Sequence, residues 1–338
     1  MFRLIFVFVI LFTHNIWAQN KTFQLSSKFV PDITKEFYTA KSDDGYVLPN
    51  EKHPEDALEA FQRAPEGVYI SVGTERGFLG AAYSPRVTHL VLFDKNPNVT
   101  NFNLLNILLL KMANDRRDYL FLRQEANFLE LLERMEKREF SQDEIRLVAN
   151  QHSSLKRYVK DSKFGNYLDN QERHKTFKLN YLEDDMAFTR LKKMADADRI
   201  QAFTASSGDD LFLDELIAEF KRLDLKLSVF DYSNAWWSLY TPPERLQRAF
   251  NQLSKVSIPN SLYLFTDNGA NRSQYHTRWN YNAYTFLKIK DVRWLETKIL
   301  GNYNFYHQNR IITLFTGKKH FKLYGNAQEK YSCDKHLE

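Results

Sequence analysis

The sequence predicts an α/β fold built on a mostly parallel, doubly wound sheet, and three observations lead to that class. The chain has 338 residues, 43% of them hydrophobic, which is enough to bury a large core. Compact apolar runs alternate with amphipathic helical patterns, and parallel strands need such helical crossovers to connect them. Beyond residue 271, aromatic and polar residues alternate, which is typical of antiparallel strands at the C-terminus.

The first 18 residues have the pattern of an export signal. Met1-Phe2-Arg3 supplies a short positive start, an apolar stretch runs from Leu4 to Thr13, and Ala18 is a small residue suited to cleavage. We therefore expect a periplasmic or secreted protein without stable membrane insertion after cleavage. A retained N-terminal anchor is the alternative, although the apolar stretch is shorter than the roughly 20 residues of a membrane-spanning helix.

The rest of the chain divides into an N-terminal helical segment, residues 19–66, and the main domain, residues 67–338, which carries a charged helical insert at 124–190. In the first segment, "EKHPEDALEAFQRA" has Pro54 ahead of a helical pattern. We expect the insert to cover the ligand crevice. The strands are predicted at 68–72, at 89–93, and within "RIQAFTA", "LKLSVFDY" and "SLYLFTD", with later ones in "YNAYTFLKIK" and "NRIITLFTG".

Polar residues follow each of the five predicted parallel strands. In doubly wound sheets, ligands bind beyond the carboxyl ends of the strands. The candidate binding and catalytic residues at these positions are Gly73, Thr74, Glu75 and Gly77 after the first strand, Asp94 after the second, Asp209 after the third, and Asp231, Tyr232 and Asn234 after the fourth.

The residues after the first two strands predict a pocket for an adenosine-type cofactor. Gly73 allows close backbone approach to a ligand, and Asp94 follows it by 21 residues, the distance at which an acid commonly holds ribose hydroxyls. The turn is not a P-loop, because no Gly-Lys-Ser/Thr follows it. It is not a G-x-G-x-x-G loop either, because Glu75 lies where its charge would repel a pyrophosphate. An acidic loop favours S-adenosylmethionine, which has a sulfonium and no phosphate. The alternative is a tight turn, with Asp94 capping the next helix.

Longer stretches around these residues resemble a known family. "GVYISVGTERGFLGAA", "THLVLFDKNPNVTNFNLLNILLLK" and "LKLSVFDYSNAWWSL" are similar to an uncharacterised bacterial family of class I S-adenosylmethionine-dependent methyltransferase-like proteins. The resemblance covers roughly residues 45–270 and implies a Rossmann-like methyltransferase fold with an S-adenosylmethionine site. It implies no particular methyl acceptor.

For methyl transfer, Asp231 and Asn234 are expected to orient the acceptor, and Tyr232 or Trp236 to lie against the sulfonium. The segment Asp231-Tyr232-Ser233-Asn234 lacks the two prolines that follow the acid or amide in better-known class I enzymes. S-adenosylmethionine is also kept in the cytoplasm, whereas the leader directs the chain outward. A non-catalytic exported binding module that retains the fold is therefore the alternative function.

Other classes of site have little support in the sequence. The nine histidines show no metal-ligand spacing, so we expect no catalytic metal. No G-x-S-x-G elbow is present, and the formal charge of +5 is too small and dispersed to indicate nucleic-acid binding.

Overall fold

The computed structural model describes residues 23–25, 54–150, 179–207, 209–235, 241–267, 280–286, 310–314 and 320–324. The predicted export signal, most of the N-terminal segment, residues 151–178 of the insert, Gly208 and Trp236 lie outside the described residues. Among the residues that are described, no helix combines the length and apolar character needed to cross a membrane.

Eight strands form one mixed sheet. They are β1 (Gly67–Val72), β2 (Val87–Asp94), β3 (Ile200–Thr204), β4 (Leu227–Asp231), β5 (Ser257–Asp267), β6 (Asn280–Thr285), β7 (Arg310–Leu314) and β8 (His320–Tyr324). The strand order is β3-β2-β1-β4-β5-β6-β7-β8. Strands β1 to β5 are mutually parallel, and β6 runs antiparallel to β5. The predicted α/β class with a mostly parallel sheet is confirmed.

The connections between the strands are helical. The α-helices bounded within the described residues are α1 (Leu58–Arg63), α2 (Glu75–Tyr83), α3 (Pro97–Met112), α4 (Arg116–Leu122), α5 (Phe128–Lys137), α6 (Asp185–Asp196), α7 (Asp210–Arg222) and α8 (Pro243–Leu253). A further helical stretch covers 142–150, so the described part of the predicted insert is largely helical.

Two hydrophobic clusters cover opposite faces of the sheet. Residues alternate along β1, where Tyr69 belongs to the cluster with α1, α2, α3 and α6, and Ile70 to the cluster with α7 and α8. The chain runs from β1 outward through β2 to β3, then returns to the other side of β1 as β4. The strand order therefore reverses between β1 and β4, the position where open α/β sheets commonly bind ligands.

Candidate functional site

The loop after β1 and the end of β2 are neighbours at the carboxyl edge of the sheet. The backbone N–H of Gly73 donates to the carbonyl of Phe93 over 3.1 Å, and Asp94 is the next residue along β2. Gly73 has a φ of +84°, a conformation that favours glycine, and a Cβ built there would meet no atom of the described residues within 4 Å. The Gly73 backbone thus borders open space into which a ligand could fit.

Asp94 is a partly buried carboxylate at this edge. Its Oδ1 accepts a hydrogen bond of 2.9 Å from the backbone N–H of Asn96, the residue before α3, so the carboxylate stabilises the tight turn that the alternative interpretation expects here. Burial raises the pKa of Asp94 to about 6, and the Asn96 N–H partly opposes that shift. Within the described ranges Asp94 makes no salt bridge, so its carboxylate retains capacity to accept hydrogen bonds from a ligand.

Glu75 has a different environment from the one expected for a ligand-facing acid. Its side chain is 2% exposed, and Oε1 accepts a hydrogen bond from Arg123 Nη2 at 3.1 Å. The Tyr181 hydroxyl donates to Oε2 of the same carboxylate. Glu75 is therefore neutralised from within the protein, and its charge is not directed at a bound sulfonium.

Asp231 is also occupied by a cation of the chain. It is fully buried, and Oδ1 accepts from Arg76 Nε at 2.6 Å while Oδ2 accepts from the Tyr69 hydroxyl at 2.7 Å. The Arg76 guanidinium lies 4.4 Å from the ring centroid of Tyr281. The Asp231 carboxylate, which was expected to orient a methyl acceptor, is thus paired with Arg76. This ion pair lies at the point where the strand order reverses.

Tyr232, the residue directly after β4, is buried and only 2% exposed. Its hydroxyl is hydrogen-bonded to Ser207 and, at 2.8 Å, to Thr241, and its ring stacks on Phe93 with centroids 6.3 Å apart. Burial raises the pKa of Tyr232, the hydrogen bonds to Ser207 and Thr241 partly oppose that rise, and the charge of Asp94 adds a smaller increase. The phenol is therefore a neutral packing group whose ring, rather than its hydroxyl, supports the edge of the site.

The remaining sequence-predicted residues have mainly local contacts. Asp209 caps α7 by accepting hydrogen bonds from the N–H groups of Leu211 and Phe212. Thr74 is the buried residue that precedes α2. Asn234 is partly buried in the turn after β4, where its Oδ1 lies 3.5 Å from the Ser233 hydroxyl.

Gly77 contributes packing rather than ligand contact. A Cβ at this position would lie 2.4 Å from Leu92 Cδ2 and 2.9 Å from Ser71 Cβ. The residue therefore lets α2 approach β1 and β2 closely, which holds the loop at Gly73 against the sheet.

Two polar residues of α3 adjoin the site and were not identified from the sequence. Asn103 Nδ2 donates to the carbonyl of Gly73 over 2.8 Å, and its Oδ1 is buried with no hydrogen-bond partner among the described residues. The Thr100 hydroxyl, one turn earlier in α3, is also buried and has no hydrogen-bond partner among the described residues. Thr100, Asn103 and Asn106 recur every three residues of α3, and that polar stripe is the signal that could have revealed them.

The sequence also did not identify the buried partners of the two acids, which are Arg76, Arg123 and Tyr181. Nothing local in the sequence distinguishes such a buried side chain from an exposed one of the same type. In the part of the chain that the structure describes, no group of three or more His, Cys, Asp or Glu side chains could hold a metal ion.

A family model described as "Domain of unknown function (DUF7790)" matches residues 46–315, and the chain therefore belongs to that family. No curated protein matches this sequence. The description of the family names no activity.

Proposed function

We propose that this member of the DUF7790 family is a class I methyltransferase-like protein with a Rossmann-like fold, and that it binds S-adenosylmethionine at the carboxyl edge of β1 and β2. The order β3-β2-β1-β4-β5, with helices on both faces, supports the fold assignment, since doubly wound nucleotide-binding sheets reverse their order at the first strand. The antiparallel β6 beside β5 is compatible with it.

The observation that carries the proposal is the pairing of Gly73 with Asp94. The Gly73 backbone borders open space, and the neighbouring carboxylate has no salt-bridge partner in the described part of the chain. A ribose presents two vicinal hydroxyls, and both can donate to one carboxylate. Glu75 and Arg76 are each paired internally, so the acid at this edge that can accept hydrogen bonds from a ligand is Asp94, which also feels the charge of Lys95. A carboxylate at this place favours a ligand with hydroxyl groups and no phosphate.

The second candidate is a binding module that does not transfer the methyl group, and the Arg76–Asp231 ion pair favours it. An acceptor oriented by Asp231 would have to displace a guanidinium that is 4% exposed and hydrogen-bonded at 2.6 Å. The cofactor would then be bound without a carboxylate available for its acceptor. Export of the protein, which rests on residues 1–18, is part of the proposal for both candidates.

Isothermal titration calorimetry of the purified chain with S-adenosylmethionine tests the proposal. Wild-type protein should give saturable heat, and Asp94→Ala should abolish it, because the carboxylate that accepts the ribose hydroxyls is gone. Asp143→Ala is the matched control, since this acid is 94% exposed and remote in sequence. Absence of saturable heat with wild-type protein at millimolar ligand would refute the proposed function.

Methyl transfer is measured separately. Protein with S-adenosylmethionine labelled at the methyl carbon is incubated with an extract of the source cells. Label incorporation that depends on Asp94 would support the enzyme, whereas saturable binding without incorporation would support the module.

A further inference from the structure

A buried carboxylate joins the loop at Gly73 to a distant part of the chain. The long connection between α4 and α6, residues 124–180, is flanked by Arg123 at one end and Tyr181 at the other. Both flanking side chains bind Glu75: Arg123 Nη2 lies 3.1 Å from Oε1, and the Tyr181 hydroxyl donates to Oε2. Glu75 is the first residue of α2, two positions after Gly73.

The contacts form part of a larger buried network. Arg123 Nη1 lies 3.3 Å from the Tyr119 hydroxyl, which in turn donates to Asn106 Oδ1 over 2.8 Å. Glu75, Tyr119, Tyr181 and Arg123 are each at most 4% exposed. A buried charge is costly unless its partners remain in place, so the conformation of Glu75 is fixed by the two ends of the connection.

We infer that Glu75 is a positioning residue for ligand binding, which it supports without touching the ligand. By binding one side chain from each end of the 124–180 connection, it fixes the start of α2 and therefore the loop at Gly73. Ligand affinity at that loop then depends on Arg123 and Tyr181, although both side chains lie outside the proposed pocket. This inference rests on the proposed function for its ligand, but the geometry of the loop can be measured without one.

A matched pair of variants separates positioning from general stability. Tyr181→Phe removes the hydroxyl that donates to Glu75, whereas Tyr263→Phe removes an equally buried hydroxyl that has no hydrogen-bond partner among the described residues. Loss of a hydrogen bond to a charged group predicts an S-adenosylmethionine Kd about tenfold higher for Tyr181→Phe. We expect the Kd of Tyr263→Phe to stay within about twofold of wild type, because this hydroxyl makes no hydrogen bond to Glu75, Arg123 or Tyr181 in the described part of the chain.

Amide exchange supplies the readout that does not need a ligand. The N–H groups of Gly73 and Thr74 should exchange faster in Tyr181→Phe than in Tyr263→Phe, when each variant is compared at the same interval below its unfolding midpoint. The same N–H groups should exchange more slowly in Arg123→Lys than in Arg123→Met, because the lysine ammonium keeps a positive charge opposite Glu75.

The outcomes are distinguishable. Equal exchange at Gly73 in the two tyrosine variants, or equal Kd values, would overturn the positioning role. If wild-type protein binds no S-adenosylmethionine, the proposed function fails, and exchange at Gly73 alone then supports or overturns the role of Glu75.

Discussion

Replacing Arg76 by methionine should destabilise the fold far more than removing an exposed arginine. The substitution keeps most of the side-chain volume but leaves the Asp231 carboxylate buried at 0% exposure without its cation. Breaking a buried ion pair by removing one partner costs about 3–5 kcal/mol. Loss of the guanidinium from the Tyr281 ring, 4.4 Å away, adds about 0.5–2 kcal/mol.

Two hydrogen-bond donors of the described residues remain near Asp231 in this variant, and they place the expected loss at the lower end of that range. The Tyr69 hydroxyl donates over 2.7 Å, and the N–H of Ser233 lies 3.4 Å away. We therefore expect a loss of about 3 kcal/mol, which is a large fraction of the 5–15 kcal/mol by which most domains are stable.

Urea unfolding followed by far-ultraviolet circular dichroism measures this loss. Arg248→Met is the control, because Arg248 and its partner Asp210 are 52% and 55% exposed and such pairs contribute about 0–1 kcal/mol. The double variant Arg76→Met/Asp231→Asn should recover much of the lost stability, since the charge is gone while an acceptor for Tyr69 remains. A single variant no less stable than Arg248→Met, or a double variant no better than the single one, would refute the reasoning.

Further predictions concern Asp94 and the two glycines of the loop. Because burial raises the pKa of Asp94 from 3.8 to about 6, the folded state binds this proton more tightly than the unfolded state, so its contribution to stability should rise as pH falls from above 6 towards 4. Asp94→Asn should flatten that part of the pH profile, and S-adenosylmethionine binding by the wild-type protein should weaken below pH 6 as the carboxylate is protonated; an unchanged profile in the variant would contradict the assignment. Gly77→Ala should lower the free energy of unfolding by about 1–3 kcal/mol, because its Cβ would meet Leu92 at 2.4 Å. Gly73→Ala should cost about 1–2 kcal/mol from its left-handed backbone alone, and a similar urea midpoint shift with no effect on ligand binding would argue against a ligand at this loop.

The strands and their order of appearance were accessible from the sequence because burial leaves a local pattern. A strand covered on both faces is a short apolar run, as at Val68–Val72, and the helices between such runs keep their amphipathic period. The polar residues that end those strands were equally visible. Gly73 and Asp94 could therefore be assigned to one edge of a parallel sheet from the sequence alone.

The roles of the acids could not be assigned in the same way. Glu75, Asp94 and Asp231 all follow predicted strands, yet two of them are paired with arginines far away in the chain, Arg76 lying 155 residues from Asp231 and Arg123 lying 48 residues from Glu75. A single sequence does not show which cation reaches which buried carboxylate, because that depends on the positions of whole helices and strands.

The same limit applies to the two glycines of the loop and to the polar stripe of α3. Gly73 faces open space and Gly77 faces Leu92, although both are glycines of one turn. The sequence by itself determined the α/β alternation and the polar edge of the sheet, since both follow from local burial patterns. Only the tertiary structure decided which carboxylate remains available to a ligand, because that is set by contacts between elements distant in the chain.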